Sequence, residues 1–351
     1  MKAILHNKAK VGGTEPDFEE RFSRMLHGQP AAVRGISSFI EIHNAGLSPD
    51  GRPAGVFLLL GPTGTGKTRT VETVAQLLHG SPKNLIKVDC GEFQTEHEVA
   101  RLIGAPPGYL GHRETPPILT QARLASVTSP QCGLSVVLFD EIEKAAPSVS
   151  RLLLGICDRG NLHLGDNTAV NFENTLIFLT SNLGARSMQR ELQPAFGFKS
   201  PGGGARDHSR KLEAIALHAV RRRFSPEFIN RIDSVITYQP LKSDALARIL
   251  DQLIGEVQDH IDRRLGMRAF VLEIPARTRS FLLERGSSQE FGARELRRTL
   301  YRHVVQPMAA LVAADDVRPG GLVRARVRDG GVLLETAPTR LSPHRPERLA
   351  S

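Results

Sequence analysis

Residues 61 to 68 have the composition of a phosphate-binding loop. They read Gly61-Pro62-Thr63-Gly64-Thr65-Gly66-Lys67-Thr68 and satisfy the pattern G-x-x-x-x-G-K-[ST]. In such a loop the glycines let successive backbone N–H groups point at phosphates, and the following helix presents the positive end of its dipole. The lysine reaches the β- and γ-phosphates, and the hydroxyl of the last residue binds Mg²⁺. The motif therefore predicts a site for ATP and Mg²⁺, with Lys67 on the phosphates and Thr68 on the metal.

Two carboxylates and an amide follow other apolar runs. Val136–Phe139 leads directly into Asp140 and Glu141, and Leu176–Leu179 is closely followed by Asn182. Hydrolysis of ATP needs a carboxylate that holds the metal and a group that orients and activates water. We expect Asp140 to hold Mg²⁺, Glu141 to act as the general base, and Asn182 to hydrogen-bond the γ-phosphate or the water. Two acids after a strand are also typical of an ordinary helix start, and an asparagine there is often a turn residue.

Five short apolar runs, separated by helical segments, predict the scaffold that positions these residues. Each run lacks the polar alternation of a half-exposed strand and is typical of a strand buried on both faces of a parallel sheet. The runs are Val56–Leu60, Leu85–Val88, Ser135–Phe139, Leu176–Leu179 and Val235–Tyr238. Strands that alternate with helices favour a doubly wound α/β domain.

The pattern changes beyond Pro240, where amphipathic helices replace the apolar runs. We predict helices at 242–264, 275–286 and 293–314, and then a β-like piece at Leu322–Leu334. This part of the chain is expected to form a second, smaller and mostly helical domain.

The predicted organisation has four regions. They are a lead-in at 1–26, a large α/β ATPase domain at 27–239, a small helical domain at 240–336 and a disordered tail at 337–351. In addition, residues 18–45 show helix-like spacing, and the Gly- and Pro-rich stretch 197–205 predicts a flexible surface loop.

Composition and charge indicate where the protein works and which partners are disfavoured. No stretch approaches the roughly 18–20 apolar residues of a membrane span, the N-terminus lacks the apolar run of a signal peptide, and three cysteines fit a reducing compartment. We therefore expect a cytoplasmic protein that does not enter a membrane. The net charge is +9, but the lysines and arginines are scattered along the chain. Only 5% of the residues are aromatic, so side chains on which bases could stack are scarce, and a nucleic-acid partner is disfavoured.

Several further motifs make the chain resemble the Clp unfoldase family of AAA+ ATPases, in particular the second ATPase module of ClpB, ClpA and ClpC. The resemblance runs from about residue 27 to about residue 335. It is carried by the segments 57–64, 104–111, 138–145, 180–184, 224–233 and 292–296. It implies a P-loop NTPase fold of AAA+ type, with a parallel sheet between helices and a small helical lid domain. It also implies a ring, expected to be a homo-hexamer.

The resemblance implies roles for four more residues. Arg231 matches the arginine finger, which reaches the γ-phosphate bound by a neighbouring subunit. The resemblance also implies that Arg222 and Arg223 lie near the subunit interface, so that either could share this task. Arg294 matches the second sensor, which contacts the nucleotide and couples it to the lid. Gln29 matches a position that packs on adenine. Tyr109 matches the pore-loop aromatic that grips a threaded polypeptide.

Three functions stay open at this stage. The favoured one is an ATP-driven motor that unfolds or remodels protein substrates by threading. The alternatives are a nucleotide-gated assembly switch and a nucleic-acid-linked AAA+ loader. The tripeptide Phe196-Gly197-Phe198 resembles the loop by which ClpA and ClpC dock on a peptidase, but a packed surface loop is the alternative interpretation.

Overall fold

The computed structural model describes residues 17–105, 116–192, 205–288 and 292–337. The described residues fall into two compact units. The first comprises those within 1–60, 67–181 and 221–237, and the second those within 61–66, 182–220 and 238–351. In these parts of the chain, no helix is both long enough and apolar enough to cross a membrane.

A five-stranded parallel sheet forms the core of the first unit. Its strands are β1 (Gly55–Leu60), β2 (Ile86–Asp89), β3 (Ser135–Asp140), β6 (Thr175–Ser181) and β7 (Ser234–Thr237). Their order across the sheet is β2-β3-β6-β1-β7. Every residue of β1 and β6 is buried, which explains why these strands read as continuous apolar runs. All five predicted strands are confirmed to within two residues at each end.

Two helices of the ATPase region precede β1, and the others lie between or after the strands along the chain. They are α1 (Phe18–Met25), α2 (Pro30–Asn44), α3 (Lys67–His79), α4 (Ala100–Ile103), α5 (Gln121–Ser126), α6 (Pro147–Arg159), α7 (Ala185–Leu192), α8 (Ala205–Arg223) and α9 (Pro226–Ile229). The sheet lies between helices, as expected. Helix α2 packs on it through Phe39, whose ring meets Phe57 edge-on at 5.0 Å, and Phe57 in turn stacks on Phe178 at 4.9 Å.

Two details of this region differ from the sequence pattern. The helical spacing over 18–45 belongs to two helices, because Gly28 has a positive φ and Pro30 starts α2 at a position where a missing N–H costs nothing. A short antiparallel hairpin, β4 (Asn161–His163) and β5 (Ala169–Asn171), was not predicted. Its strands are only three residues long, too short to show a period.

The described residues after 240 form four α-helices and a small sheet. They are α10 (Ser243–Leu265), β8 (Val271–Glu273), α11 (Ala276–Gly286), α12 (Ala293–Leu300), α13 (Gln306–Ala313), β9 (Leu322–Arg328) and β10 (Gly331–Ala337). The three strands pair in the order β10-β9-β8 around a core that includes Leu282, Leu296 and Val323. The β-like piece proves to be a hairpin, and β8 was missed.

The helix predicted at 293–314 is interrupted. A π-helical turn, Tyr301–Val305, separates α12 from α13, and the N–H of Gln306 bonds to the carbonyl of Tyr301. Pro307 explains the interruption, because it has no N–H to donate to the carbonyl of His303, so the chain widens locally.

Candidate nucleotide-binding site

The phosphate loop joins β1 to α3 and has the backbone shape that its glycines allow. Gly61 has a φ of 147°, and a Cβ there would lie 2.8 Å from the carbonyl oxygen of Tyr238. Only glycine is tolerated at such a position. The buried Thr65 hydroxyl donates to the carbonyl of Pro62 at 2.8 Å and closes the loop on itself. Helix α3 then begins at Lys67 and presents its N-terminus directly after the loop.

Within the second unit, two other segments contact this loop. The Thr63 hydroxyl donates to Oδ1 of Asn182 at 3.4 Å, and the N–H of Ala293 donates to the carbonyl of Gly64 at 3.1 Å. Ala293 starts α12, whose next residue is Arg294. The Arg294 side chain is exposed and forms no ion pair with any residue that the structure describes. Asn182 and the start of the helix that carries Arg294 therefore lie beside the loop. Their roles in sensing a phosphate stay predictions.

Gly292 makes the contact between loop and helix possible. Its φ is 50°, in the left-handed region, and a Cβ on this residue would lie 2.7 Å from the carbonyl oxygen of Gly64. Any side chain at this position would push the start of α12 away from the phosphate loop.

Within the first unit, the predicted metal ligands lie together. The Thr68 hydroxyl is 3.4 Å from Oδ1 of Asp140, and Lys67 is buried one residue before Thr68. Mg²⁺ prefers oxygen ligands and is usually held by one or two carboxylates together with substrate phosphates. The described residues contain no group of three or more His, Cys, Asp or Glu that could hold a metal alone. The donor set therefore fits a magnesium ion that arrives with ATP.

Asp140 is kept ionised by two neighbours. Thr180 donates to its Oδ1 at 2.5 Å, and the ammonium of Lys87 lies 2.9 Å from its Oδ2. Burial would raise the pKa of the Asp140 carboxyl, but these two contacts, together with the nearby charge of Lys67, outweigh it and hold the pKa below its ordinary range. A carboxylate that stays charged at neutral pH is the form that binds a metal.

Glu141 has an unusual backbone conformation. Its φ is 57° and its ψ is 50°, which is the left-handed region and costs energy for a residue with a side chain. Two contacts hold it there. Its N–H donates to the Thr180 hydroxyl at 3.0 Å, and its carboxylate forms an ion pair with Lys144, which raises the pKa of that lysine. The side chain that we expect to activate water is therefore aimed by fixed contacts.

Three residues of this cluster were missed by sequence reasoning: Thr180, Lys87 and Lys144. Lys144 stands three residues after Glu141, so the spacing of an ion pair on a helical turn was visible in the sequence. Thr180 and Lys87 carried no such signal, because their partners are far away in the chain.

The remaining predicted residues have varied surroundings. Gln29 is buried and its carbonyl starts the hydrogen bonding of α2. Arg231 pairs with Asp158, the next-to-last residue of α6, at 3.0 Å. Arg223 donates to main-chain carbonyls in the turn after Glu141. Tyr109, the tripeptide Phe196-Gly197-Phe198, and residues 338–351 of the predicted tail lie outside the described residues, as does most of the loop predicted at 197–205.

Comparison with known proteins identifies the class. A family model for the AAA domain (Cdc48 subfamily) matches residues 52–235, more than half of the chain, and the chain belongs to this family. A second model, for the C-terminal D2-small domain of ClpB protein, matches residues 241–325. The chain is thus an AAA+ ATPase of the Clp family and corresponds to the second ATPase module of ClpB, which confirms the resemblance read from the sequence.

Individual relatives agree with this assignment. The chaperone protein ClpB of Meiothermus ruber is 34% identical over 92% of this chain and 35% of its own length. That of Rhodopseudomonas palustris is 36% identical over 90% of this chain and 33% of its own length. The chain therefore spans about a third of the curated relatives it matches.

Solved structures are similar as well. A complex of Saccharomyces cerevisiae Hsp104 with casein, in an extended conformation, matches with a TM-score of 0.77 and 26% identity. A closed-state cryoEM reconstruction of Hsp104 with ATPγS and FITC casein matches with a TM-score of 0.76 and 27% identity. Each match covers 91% of this chain and 51% of the Hsp104 chain.

Proposed function

We propose that this protein hydrolyses Mg-ATP and uses the energy to unfold or remodel other proteins. The observation that carries the hydrolysis is the pair at the end of β3, in which Asp140 stays ionised next to Thr68 while Glu141 is held in a strained, fixed conformation. Asp140 would bind the metal and Glu141 would activate the water, and the different surroundings of the two carboxylates suit them to these separate tasks.

Each residue has a defined task in this mechanism. Thr68 and Asp140 would hold Mg²⁺, which neutralises charge on the phosphates. Lys67 binds the β- and γ-phosphates, and Glu141 takes a proton from the attacking water. Asn182, next to the phosphate loop, detects the γ-phosphate, and Arg294, which belongs to the small domain, binds the nucleotide. Gln29 packs on adenine.

The neighbouring subunit would complete the site. We propose that Arg231 leaves its ion pair with Asp158 and reaches the γ-phosphate bound by the next subunit of a ring. This step is supported by the partial exposure of both side chains, because a surface ion pair is weak and easily exchanged. The relation to ClpB chaperones and the fold shared with Hsp104 bound to casein support a protein substrate, gripped by Tyr109 in the pore.

Glu141→Gln tests the hydrolytic mechanism. The variant should bind ATP as the wild type does but lose turnover by about a hundredfold or more, because only the general base is removed. Glu72→Gln, the same change on a half-exposed residue of α3 whose carboxylate lies 3.9 Å from Arg69, is the control and should stay active. Wild-type turnover in Glu141→Gln would exclude this residue as the base.

Tyr109→Ala separates the motor from an assembly switch. A motor should keep its basal ATPase activity but lose stimulation by an unfolded protein and lose unfolding of a stably folded reporter. Tyr301→Ala, at an exposed tyrosine of the small domain, is the control and should unfold the reporter normally. Unfolding at the wild-type rate in Tyr109→Ala would refute threading, and stimulation by single-stranded DNA but not by protein would favour the nucleic-acid loader.

A further inference from the structure

The segment Asp140–Ala146, here called the catalytic turn, is held by hydrogen bonds at several points. The N–H of Lys144 donates to the carbonyl of Glu141 at 2.9 Å, and the N–H of Ala146 donates to the carbonyl of Phe93 at 2.8 Å. The carbonyls of Glu143 and Ala145 bind a side chain from a distant part of the chain. This anchoring bears on Glu141, because its strained conformation persists only where the surroundings enforce it.

That side chain is Arg223, the last residue of α8. Its Nε and Nη2 donate to the carbonyl of Glu143 at 3.2 and 2.9 Å, and Nη2 also donates to the carbonyl of Ala145 at 3.1 Å. The planar guanidinium suits this task, since its fixed fork of donors reaches two neighbouring carbonyls at once. Arg223 is therefore occupied within its own subunit, and nothing in its contacts indicates a finger for the neighbour's nucleotide.

Arg223 also begins the segment that carries Arg231, here called the finger segment (residues 223–231). Phe224 and Phe228 are both buried and stack at 5.1 Å. The Ser225 side chain caps the short helix α9, and the N–H of Arg231 donates to the carbonyl of Phe228 at 3.2 Å. The segment is thus packed as one piece between its first and last arginines.

The two ends of the finger segment attach to one continuous stretch of chain. Arg223 binds the catalytic turn, and Arg231 pairs with Asp158 on α6, the helix that starts directly after the turn at Pro147. A shift of the catalytic turn must therefore pull on the finger segment through Arg223.

We propose that Arg223 is a positioning residue that couples the catalytic turn to the finger segment, so that Glu141 in one subunit and Arg231 offered to the next subunit move together. The inference rests on the proposed function, because it assumes that Glu141 acts in its own site and Arg231 in the neighbouring one. It goes beyond that function by linking adjacent sites through a single side chain.

Steady-state kinetics provide the first test. Arg223→Gln should lower kcat about tenfold with KM for ATP changed less than about twofold, because the turn is loosened while the phosphate loop is untouched. Arg223→Lys, which can reach one carbonyl but not two, should fall between Arg223→Gln and the wild type. Arg221→Gln is the control, since Arg221 is exposed and its side chain has no hydrogen bond or ion pair among the described residues.

Mixed rings distinguish coupling from damage to one site. In mixtures of Glu141→Gln with the double variant Arg223→Gln/Arg231→Ala, only the double-variant sites turn over, and each depends on an intact finger supplied by a Glu141→Gln subunit. In mixtures of Arg231→Ala with the double variant Arg223→Gln/Glu141→Gln, only the Arg231→Ala sites turn over, and each depends on a finger supplied by a subunit that carries Arg223→Gln. Both mixtures should hydrolyse ATP more slowly than the same mixtures made with Arg221→Gln in place of Arg223→Gln. A defect in only one mixture would overturn the coupling.

Hydrogen exchange tests the link without any need for activity. In Arg223→Gln, amides of 141–146 and of 224–231 should both exchange at least about threefold faster than in Arg221→Gln. Faster exchange in only one segment, or in neither, would overturn the proposal. If Arg223→Gln does not fold, the same comparison with Arg223→Lys decides. If the wild type proves to have no ATPase activity, the proposed function fails, and the exchange result still decides whether the two segments are coupled.

Discussion

The hydroxyl of Thr180 links the two carboxylate residues that we propose for catalysis, and its removal is a sharp test of the site. Thr180 is only 1% exposed, and its Oγ1 accepts from the N–H of Glu141 at 3.0 Å while it donates to Oδ1 of Asp140 at 2.5 Å. Thr180→Val keeps the shape of the side chain and removes both hydrogen bonds. Thr180→Ser keeps the hydroxyl and removes only a methyl group.

The expected cost follows from the partners that lose their bonds. A buried group left without its hydrogen bond costs about 1–3 kcal/mol, so two such groups destabilise Thr180→Val by about 3 kcal/mol. For a domain of this size, that lowers Tm by about 6–12 °C. Thr180→Ser should lose about 1 kcal/mol, the cost of one buried methyl group. Turnover should fall about tenfold in Thr180→Val, because Glu141 loses the contact that fixes its backbone.

The pH dependence gives an independent check. The pKa of Asp140 is held below its ordinary range, so the ionised carboxylate contributes stability above the unfolded-state pKa and loses it as the pH falls through the folded-state pKa. Thr180 supplies part of that contribution. The difference in Tm between Thr180→Val and Thr180→Ser should therefore be largest near neutral pH and smaller by about pH 3.

Thermal unfolding of the two variants, at neutral and at acid pH, measures these differences, and a coupled assay measures ATP turnover. The reasoning is wrong if Thr180→Val is as stable as Thr180→Ser at neutral pH. It is also wrong if the difference between them does not decrease in acid, since the carboxylate would then have no part in it.

Three other predictions concern the nucleotide site. Lys87→Met should raise the pKa of Asp140, because an ion pair that lowers it is lost, and the acid limb of the pH–activity profile should move to higher pH; an unmoved limb contradicts this. Gly292→Ala should weaken ATP binding by about tenfold, because its Cβ would meet the carbonyl of Gly64, and nucleotide titration against the wild type measures this. Lys67→Ala should lose nucleotide affinity in the same titration, and unchanged affinity would remove Lys67 from the phosphate site.

The phosphate loop and the buried strands were readable from the sequence because their signals are local. Gly61–Thr68 are consecutive residues, and the loop shape depends on glycines at fixed positions within that run. A strand buried on both faces has to be apolar along its whole length, so β1 and β6 are visible without knowledge of their neighbours. The family could be recognised for the same reason, since each motif is a short continuous segment.

The shortest strands and the interruption in the helix predicted at 293–314 could not be predicted from the sequence in this way. Each of the strands β4, β5 and β8 has three residues, fewer than a periodic pattern needs. Residues 293–314 keep a helical spacing of apolar residues across the π-helical turn, because a single wider turn shifts the pattern only slightly.

Apart from the local ion pair of Glu141 with Lys144, the contacts that fix Asp140 and Glu141 were decided by the tertiary structure alone. Strand β6 lies beside β3 in the sheet, which brings Thr180 to two residues that precede it by about forty positions, and β2 on the other side of β3 supplies Lys87. Arg223 reaches the catalytic turn from 78 to 80 residues away. The sequence names the side chains capable of the chemistry, but which of them meet depends on the order and register of parallel strands, and those are set by packing across the whole sheet.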